Sequence, residues 1–348
     1  MSGKRHHFVP RFLQSGFTSH VNGYEAYTWV YRKGQKAFNT NTKNVGVEGQ
    51  FYSLDGDTQL DTDITMEEER YSSLVDELRA GNPDALSDSN LIAELISHLE
   101  IRTRHLRENF STTAEAVIEA LLKFVADEKA FGEYVKGKIR NDPSLLHGAI
   151  EQKLRTLGIP ESLFQETSNN IGTLFEQILP SLLVEMSKQV SMFVATIPEL
   201  VKSASKSGHI RALKETLAPP LKAETYSNLK FRLIHSDYAM PLGDSIVVFE
   251  VDGERAFKPF SEKGDVIRAI YLPISSNQVI IGSTNDELIE MSELSKIIAQ
   301  CSFEYFISSN QGENSARLQS HIGELAYLVS KNQLYSIIED VIKPEPWL

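Results

Sequence analysis

The chain has 348 residues, of which 41% are hydrophobic, and its formal net charge is -12 at pH 7. That length is sufficient for one large domain or two ordinary ones, each with its own hydrophobic core. The acidic balance excludes a protein whose whole surface binds polyanions. Cys301 is the only cysteine, which excludes an intramolecular disulfide and a cysteine-rich zinc site and favours a reducing, cytoplasmic location.

The sequence predicts no contact with a membrane. The first residues are charged and lack the apolar stretch, about 7–15 residues long, that is typical of a signal peptide. The most apolar region, residues 171–201, is interrupted by two prolines and several charged side chains, which a membrane-spanning helix does not tolerate. We therefore expect buried helices of a soluble protein in this region.

Two adjacent histidines, His6 and His7, stand near the start of the chain between basic residues and a proline. Pro10 fixes its own φ and restricts the residue before it to extended geometry, so we predict an extended segment. Its successive side chains point to opposite faces, so one histidine can face a site while the other packs behind it. A histidine can act as a general base or bind a metal, and the flanking Arg5 and Arg11 can bind an anion. The pair can equally anchor the N-terminal segment by hydrogen bonds without a catalytic role.

The first fifty residues are basic although the whole chain is acidic. They contain seven lysines and arginines against two glutamates, a local excess of five positive charges. Such a segment can attract phosphate, which makes nucleic acid or a phosphorylated ligand the expected partner. A solvated surface without a partner has the same pattern.

Residues 24–54 have the pattern of short strands. Residues 24–32 are rich in aromatic and β-branched side chains, and Lys33-Gly34 can form a turn into a returning strand at residues 36–39. Residues 50–54 are a third strand candidate.

Two helices are predicted between residues 65 and 110. Thr65 can cap the first, whose acidic first turn contains Glu69, a candidate catalytic carboxylate. The second, residues 87–110, carries Arg102, whose planar fork can bind a phosphate or a carboxylate. Charge pairs on an exposed helix would give the same pattern.

A long helical region follows the second helix. Its predicted helices are residues 112–140, residues 146–156 and, with proline breaks, residues 161–216. We expect residues 112–220 to form a helical subdomain or insertion. The N-terminal part, residues 1–111, and a C-terminal α+β part, residues 221–348, would then form the body together.

After residue 220 the pattern returns to strands and then to helices. The predicted strands are residues 230–234, 245–251, 269–274 and 279–283, and the predicted helices are residues 286–301 and 312–342. The fold class is therefore α+β, with a mixed or antiparallel sheet built from N- and C-terminal segments and a large central helical region.

Two polar residues stand beside predicted elements of this C-terminal part. Asp237 follows the strand of residues 230–234, and the end of a strand is a common place for a functional side chain. Asn310 precedes the last predicted helix. Either residue can hydrogen-bond a substrate or orient a histidine, and either can simply cap a turn or a helix.

The segment of residues 5–17 resembles a known family. Arg5-His6-His7-Phe8-Val9-Pro10-Arg11-Phe12-Leu13, with Phe17 after it, is similar to the opening motif of the bacterial and phage-borne proteins of domain-of-unknown-function family 4238. Later segments resemble the family in the same order, and they are Phe51-Tyr52, Glu67–Glu69, Ile101–Arg104, Ser236-Asp237, Leu272–Ser275 and Asn310. This chain has Tyr238-Ala239 where the family has Asn-Pro after Ser-Asp. The resemblance implies an architecture and candidate residues, but no settled activity.

The first functional hypothesis is an enzyme, a metal-assisted phosphodiester hydrolase of the nuclease type. Its candidate catalytic residues are His6, His7, Glu69, Asp237 and Asn310, and its candidate substrate-binding residues are Arg5, Arg11 and Arg102. A divalent metal ion is the expected cofactor, since histidine and carboxylates can hold a metal that activates water. The opening segment also resembles the first strand of HNH-type nucleases, which need a further metal-binding histidine or asparagine soon afterwards.

The second hypothesis is a non-enzymatic sensor or binding protein, of a kind that serves in bacterial defence against phage. The patterns GxGxxG, GxxxxGK[ST], HExxH and GxSxG are absent, which excludes ordinary nucleotide-binding, zincin and α/β-hydrolase sites. Candidate side chains that converge in one pocket would support chemistry, whereas scattered and solvated side chains would support binding.

Overall fold

A computed structural model describes residues 5–54, 57–142, 197–253, 255–287 and 289–327, together with scattered residues between 152 and 196. The chain divides into two compact units, which are Met1–Phe110 with Ala204–Leu328, and Ser111–Ser203 with Val329–Leu348. The domain boundaries at 111/112 and 220/221 stay a prediction. The predicted helices at 146–156, in most of 161–196 and after residue 327 lie outside the described residues.

Amphipathic patterns account for the main helices of the first unit. In α2 (Gln59–Arg79) and α3 (Ser89–Ile101) the buried side chains recur every three or four residues, as Tyr71, Leu74 and Leu78 do, so one face of each helix joins the core. The helices described are α1 (Arg11–Gln14), α2 (Gln59–Arg79), α3 (Ser89–Ile101), α4 (Arg104–Ala126), α5 (Glu128–Asn141), α6 (Ile197–Glu215), α7 (Pro220–Ser227), α8 (Met291–Cys301) and α9 (Glu313–Gln319). Among them, no helix combines the length and the apolar character that a membrane crossing requires.

The strands form three antiparallel sheets. They are β1 (Arg5–His7), β2 (His20–Asn22), β3 (Glu25–Arg32), β4 (Phe38–Asn41), β5 (Val47–Gly49), β6 (Lys230–His235), β7 (Leu242–Gly243), β8 (Val248–Val251), β9 (Phe257–Lys258), β10 (Ile267–Ser275), β11 (Gln278–Ser283) and β12 (Tyr305–Ser308). Strand β1 pairs with β5, the second sheet has the order β6-β11-β10-β8-β9, and the third has the order β2-β3-β12-β7 with β4 also on β3.

The third sheet joins the two ends of the described chain. Strand β12 pairs antiparallel with β3, so that Tyr305 lies opposite Arg32 and Ser308 opposite Trp29. The buried hydroxyl of Thr28 donates to the carbonyl oxygen of Ser308 at 3.2 Å. The prediction of an α+β fold whose sheet combines N- and C-terminal segments is therefore confirmed.

The opening segment packs against the β10–β11 hairpin. Phe8, Val9, Leu13 and Phe17 are each at most 4% exposed and share one core cluster with apolar side chains of β10. The backbone N–H of Ser276, in the hairpin turn, donates to the carbonyl oxygen of Gly16 at 2.9 Å. Burial of four large apolar side chains, at roughly 1.5–3 kcal/mol each, therefore fixes the position of the preceding β1 strand.

Several of the predicted elements have different bounds in the structure, among them a strand and a helix near the opening segment. The strand predicted at residues 50–54 is a turn, because the ladder with β1 uses residues 47–49 and Gln50 has a φ of 53° that ends the extended run. The helix predicted from Thr65 begins at Gln59, and the Thr65 hydroxyl donates to the carbonyl oxygen of Asp61 instead of capping the helix.

The helix predicted at 87–110 is two helices in the structure. Helix α3 ends at Ile101, and the hydroxyl of Thr103 accepts a hydrogen bond from the N–H of Leu106 at 3.2 Å, in the manner of a cap for α4. The break therefore falls at Arg102 and Thr103, and it decides the environment of Arg102.

Candidate functional site

Strand β1 presents the two histidines on opposite faces, as predicted for an extended segment. In the β1–β5 ladder His6 lies opposite Glu48 and His7 lies opposite Val47. His6 is only 2% exposed, whereas His7 is half-buried. The two rings therefore meet different environments.

Protein groups engage both ring nitrogens of His6. Its Nδ1 accepts a hydrogen bond from the backbone N–H of Tyr52 at 2.9 Å, so the neutral ring carries its proton on Nε2. That Nε2 lies 3.8 Å from Oδ1 of Asp61, and the ring stacks on Tyr52 with centroids 5.6 Å apart. The arrangement fixes β1 against the turn that holds Tyr52, and it leaves Nε2 of His6 facing Asp61 at a distance longer than a hydrogen bond.

The ring of His7 has one nitrogen without a partner. The backbone of Lys43 raises the pKa of His7, which places its carbonyl oxygen toward a ring N–H that acts as the donor. Nε2 is buried and has no hydrogen-bond partner among the described residues, so the donor is Nδ1. The neutral ring therefore keeps its lone pair on Nε2.

The surroundings of His7 favour that neutral form. Burial is the main cause that lowers the pKa of His7 to about 4, and the charge of Arg11 is the next, followed by weaker effects of Arg102 and Arg5. The bond to Lys43 acts in the opposite direction. At neutral pH the ring is uncharged and Nε2 can accept a proton.

Arg5 and Arg11 are the exposed cations beside His7. Arg5 donates to Oδ1 of Asn44 at 3.2 Å, and Arg11 is the first residue of α1. Both charges act on the His7 ring. They are therefore placed to attract an anion toward this face of β1.

Arg102 is a buried connector and does not face a ligand. It is 1% exposed, forms an ion pair with Glu68, and donates to the His7 carbonyl oxygen at 2.6 Å, to the Tyr52 hydroxyl at 3.2 Å and to His98 Nε2 at 3.0 Å. These contacts join β1, α2 and α3. The substrate-binding role predicted for Arg102 is therefore replaced by a structural one, because the break after α3 turns its side chain into the core.

Three further predicted site residues lie outside this network. Glu69 is exposed, because one residue turns a helix by about 100° and Glu68 takes the position that faces Arg102. Asp237 is exposed after β6, and Asn310 is exposed after β12, where its carbonyl oxygen accepts from the hydroxyl of Tyr31 at 3.2 Å. In the part of the chain that the structure describes, no recorded bond joins any of them to His7.

The donor groups of this region do not fit the predicted divalent metal. Across the described ranges, no group of three or more histidine, cysteine, aspartate or glutamate side chains is placed to hold a metal ion. His6 and Asp61 approach each other, but Glu68 is taken by Arg102. We therefore derive no chemical step from a metal.

The site residues predicted from the sequence do not include three residues that organise the site. Tyr52 supplies a backbone donor, a stacking surface and a hydroxyl, Asp61 faces His6, and His98 accepts from Arg102. The helical spacing of His98 and Arg102, four residues apart, was the available signal for one of these contacts. Asp61 gave none, since it precedes the predicted start of its helix.

One comparison with known proteins gives a result for most of the chain. The model of a family with the description 'Protein of unknown function (DUF4238)' matches residues 5–298. No curated protein matches the chain, and no solved structure does. The match includes β1, α2 and α3, and therefore every element of the His7 region.

Proposed function

The chain belongs to this family of proteins of unknown function, DUF4238, and we propose from the chemistry of the His7 region that it hydrolyses phosphodiesters. The observation that carries the proposal is the neutral His7 ring. Its Nε2 lone pair has no partner among the described residues, and two exposed arginines, Arg5 and Arg11, lie near the ring. A proton acceptor and anion-binding groups are the two parts that hydrolysis of a phosphate ester needs.

In the proposed reaction Arg5 and Arg11 bind the non-bridging oxygens of the phosphate. Nε2 of His7 accepts a proton from water while the water oxygen forms a bond to phosphorus. The ester P–O bond on the opposite side breaks, the departing oxygen takes a proton from solvent, and Nε2 afterwards releases its proton to solvent. The Lys43 carbonyl oxygen holds Nδ1–H and so maintains the tautomer that the step requires.

Substrate binding would strengthen His7 as a base. A ring with a pKa of about 4 is a weak proton acceptor, and part of that lowering comes from Arg11, Arg102 and Arg5. A bound phosphate brings negative charge that offsets these cations, so the pKa of His7 rises when substrate is present. The base would then be strongest in the complex.

The test is hydrolysis of a chromogenic diester, bis(4-nitrophenyl) phosphate, and of a labelled oligonucleotide. We expect His7→Gln to lower kcat/KM by about 10²–10⁴-fold, the usual contribution of a general base. Arg11→Ala should mainly raise KM. Lys33→Ala and His20→Gln, which change exposed residues elsewhere on the first unit, are the matched controls and should leave both constants unchanged.

Two outcomes would end the proposal. One is a wild-type protein that hydrolyses neither substrate above background across pH 5–8. The other is a His7→Gln protein that keeps the wild-type rate at an unchanged melting temperature.

The second candidate is a non-enzymatic binding protein or sensor for a phosphorylated ligand or nucleic acid. Two observations favour it. The candidate residues Glu69, Asp237 and Asn310 are exposed and lie apart from His7, and Nε2 of His7 is shielded from water while neighbouring polar side chains are engaged by protein groups. Retained binding of an oligonucleotide without turnover would select this candidate. Under either candidate we propose a cytoplasmic bacterial protein, a location that suits its single buried cysteine.

A further inference from the structure

The segments that follow β6 and β12 meet at a second cleft, which the proposed hydrolase does not use. Tyr238 and Ala239, just after Asp237, line one side of it, and Asn314 and Ser315, soon after Asn310, line another. The first turns of α8 and residues of α9 complete the lining. The cleft has a volume of about 290 Å³, which suits a small ligand.

The charged side chains that line this cleft are basic. They are Lys296 on α8, Arg317 on α9 and His321 just after α9, and none of the lining residues carries a carboxylate. Two acids approach from outside the lining. Glu313 forms an exposed ion pair with Arg317, with 3.8 Å between the carboxylate oxygen and the guanidinium nitrogen. A carboxylate oxygen of Glu324 lies 2.9 Å from Nδ1 of His321, within hydrogen-bond distance.

Neutral donors accompany the cations. Ser292 lies in the first turn of α8, where backbone N–H groups lack partners within the helix. The hydroxyl of Ser295 already donates to the Met291 carbonyl oxygen at 2.9 Å. The amide of Asn314 can also donate. Positively charged side chains together with backbone and amide N–H donors are the combination that recognises a phosphate group.

Tyr238 adds an aromatic surface to the same cleft. Its side chain is 52% exposed, although its backbone is fixed. The Ser236 hydroxyl accepts from the Tyr238 N–H at 3.0 Å and donates to the Tyr238 carbonyl oxygen at 2.9 Å. A ring on a fixed backbone, exposed beside cations, can stack on a planar group without a large loss of entropy.

We propose that this cleft binds a small phosphorylated ligand that carries an aromatic ring, of the class of nucleoside monophosphates. The phosphate lies between Lys296 and Arg317, and the ring stacks on Tyr238. The proposal does not depend on hydrolysis at His7. It gives the segments around Asp237 and Asn310 a shared role that the contacts of His7 do not give them.

The test is isothermal titration of the full chain with adenosine monophosphate and, separately, with inorganic phosphate. We expect Lys296→Ala and Arg317→Ala each to weaken binding of both probes by about tenfold, since each removes a charge-assisted bond. Tyr238→Ala should weaken the binding of adenosine monophosphate and leave the binding of inorganic phosphate unchanged. Lys263→Ala, an exposed lysine away from the cleft, is the control and should bind both probes as the wild type does.

Each other result has a stated meaning. Absence of adenosine monophosphate binding, or full binding by the Lys296→Ala and Arg317→Ala proteins, would overturn the site. Equal affinity for both probes, with no effect of Tyr238→Ala, would overturn the assignment to an aromatic ligand. Loss of binding in His7→Gln would show that the ligand occupies the His7 region instead.

Discussion

Replacing Arg102 by alanine is expected to lower the free energy of unfolding by about 3–5 kcal/mol, the usual effect of breaking one side of a buried ion pair. Its guanidinium is 1% exposed and contacts Glu68, the Tyr52 hydroxyl, the His7 carbonyl oxygen and His98 Nε2. Removal takes a donor from four polar groups, of which the Tyr52 hydroxyl and His98 Nε2 belong to buried residues and the Glu68 side chain is 24% exposed. It also releases β1 from α2 and α3, so the His7 region should lose its order first.

A matched control separates this effect from the loss of any arginine. Arg70 forms an ion pair with Glu94 at 2.8 Å on the surface, with both side chains more than a third exposed. Arg70→Ala should therefore cost at most about 1 kcal/mol. Urea unfolding followed by circular dichroism measures both variants, and similar losses for the two would contradict the buried network.

Acidification is the second change with a large expected effect. Burial lowers the pKa of His98 and of His105 from 6.5 to about 3. Between these pH values both histidines are protonated in the unfolded chain and neutral in the folded chain. The stabilisation that comes from these neutral histidines is therefore fully present above pH 6.5, and it is lost as the pH falls toward their pKa of about 3 in the folded protein. Each histidine costs about 1.4 kcal/mol per pH unit below 6.5, so the pair should remove about 5 kcal/mol by pH 4.5. His209, whose pKa burial lowers to about 4, acts in the same direction.

The free energy of unfolding measured at half-unit intervals between pH 7.5 and 4.5 checks this expectation. His105 lies between the rings of Phe260 and Phe303, so His105→Phe keeps an aromatic side chain there and removes one titrating group. For that variant the slope of the free energy of unfolding against pH should be smaller by about 1.4 kcal/mol per pH unit. His20→Gln changes an exposed histidine and should leave the curve as it is. A wild-type curve that is flat from pH 7 to pH 5 would refute the argument.

Local patterns predicted those parts of the fold that local physics decides. Pro10 and its neighbours fix an extended β1, and two runs of β-branched residues around a four-residue turn give the β10–β11 hairpin. Strand β12 was missed, because it has four residues and is stabilised by pairing with β3, nearly three hundred residues earlier in the chain. Pairing at that distance leaves no signal in the local sequence.

The site was harder to predict because its roles depend on burial. Arg102 was predicted to bind substrate, but the break between α3 and α4 turns its side chain into the core. Glu68 and Glu69 have the same chemistry, and only the helical phase set by packing decides that Glu68 meets Arg102. His6 and His7 have the same sequence context, yet the fold places the Tyr52 N–H and Asp61 beside the two ring nitrogens of His6 and leaves Nε2 of His7 without a partner among the described residues.

The central claim is that His7 is a neutral base beside an anion-binding surface. The most direct measurement is the titration of His7 by nuclear magnetic resonance, with labelled histidine and the His7→Gln protein to assign the signal. Our account predicts a pKa of about 4 in the free protein and a higher value when inorganic phosphate is present, with the effect reduced in Arg11→Ala. A pKa near 6.5 that phosphate does not change would contradict it.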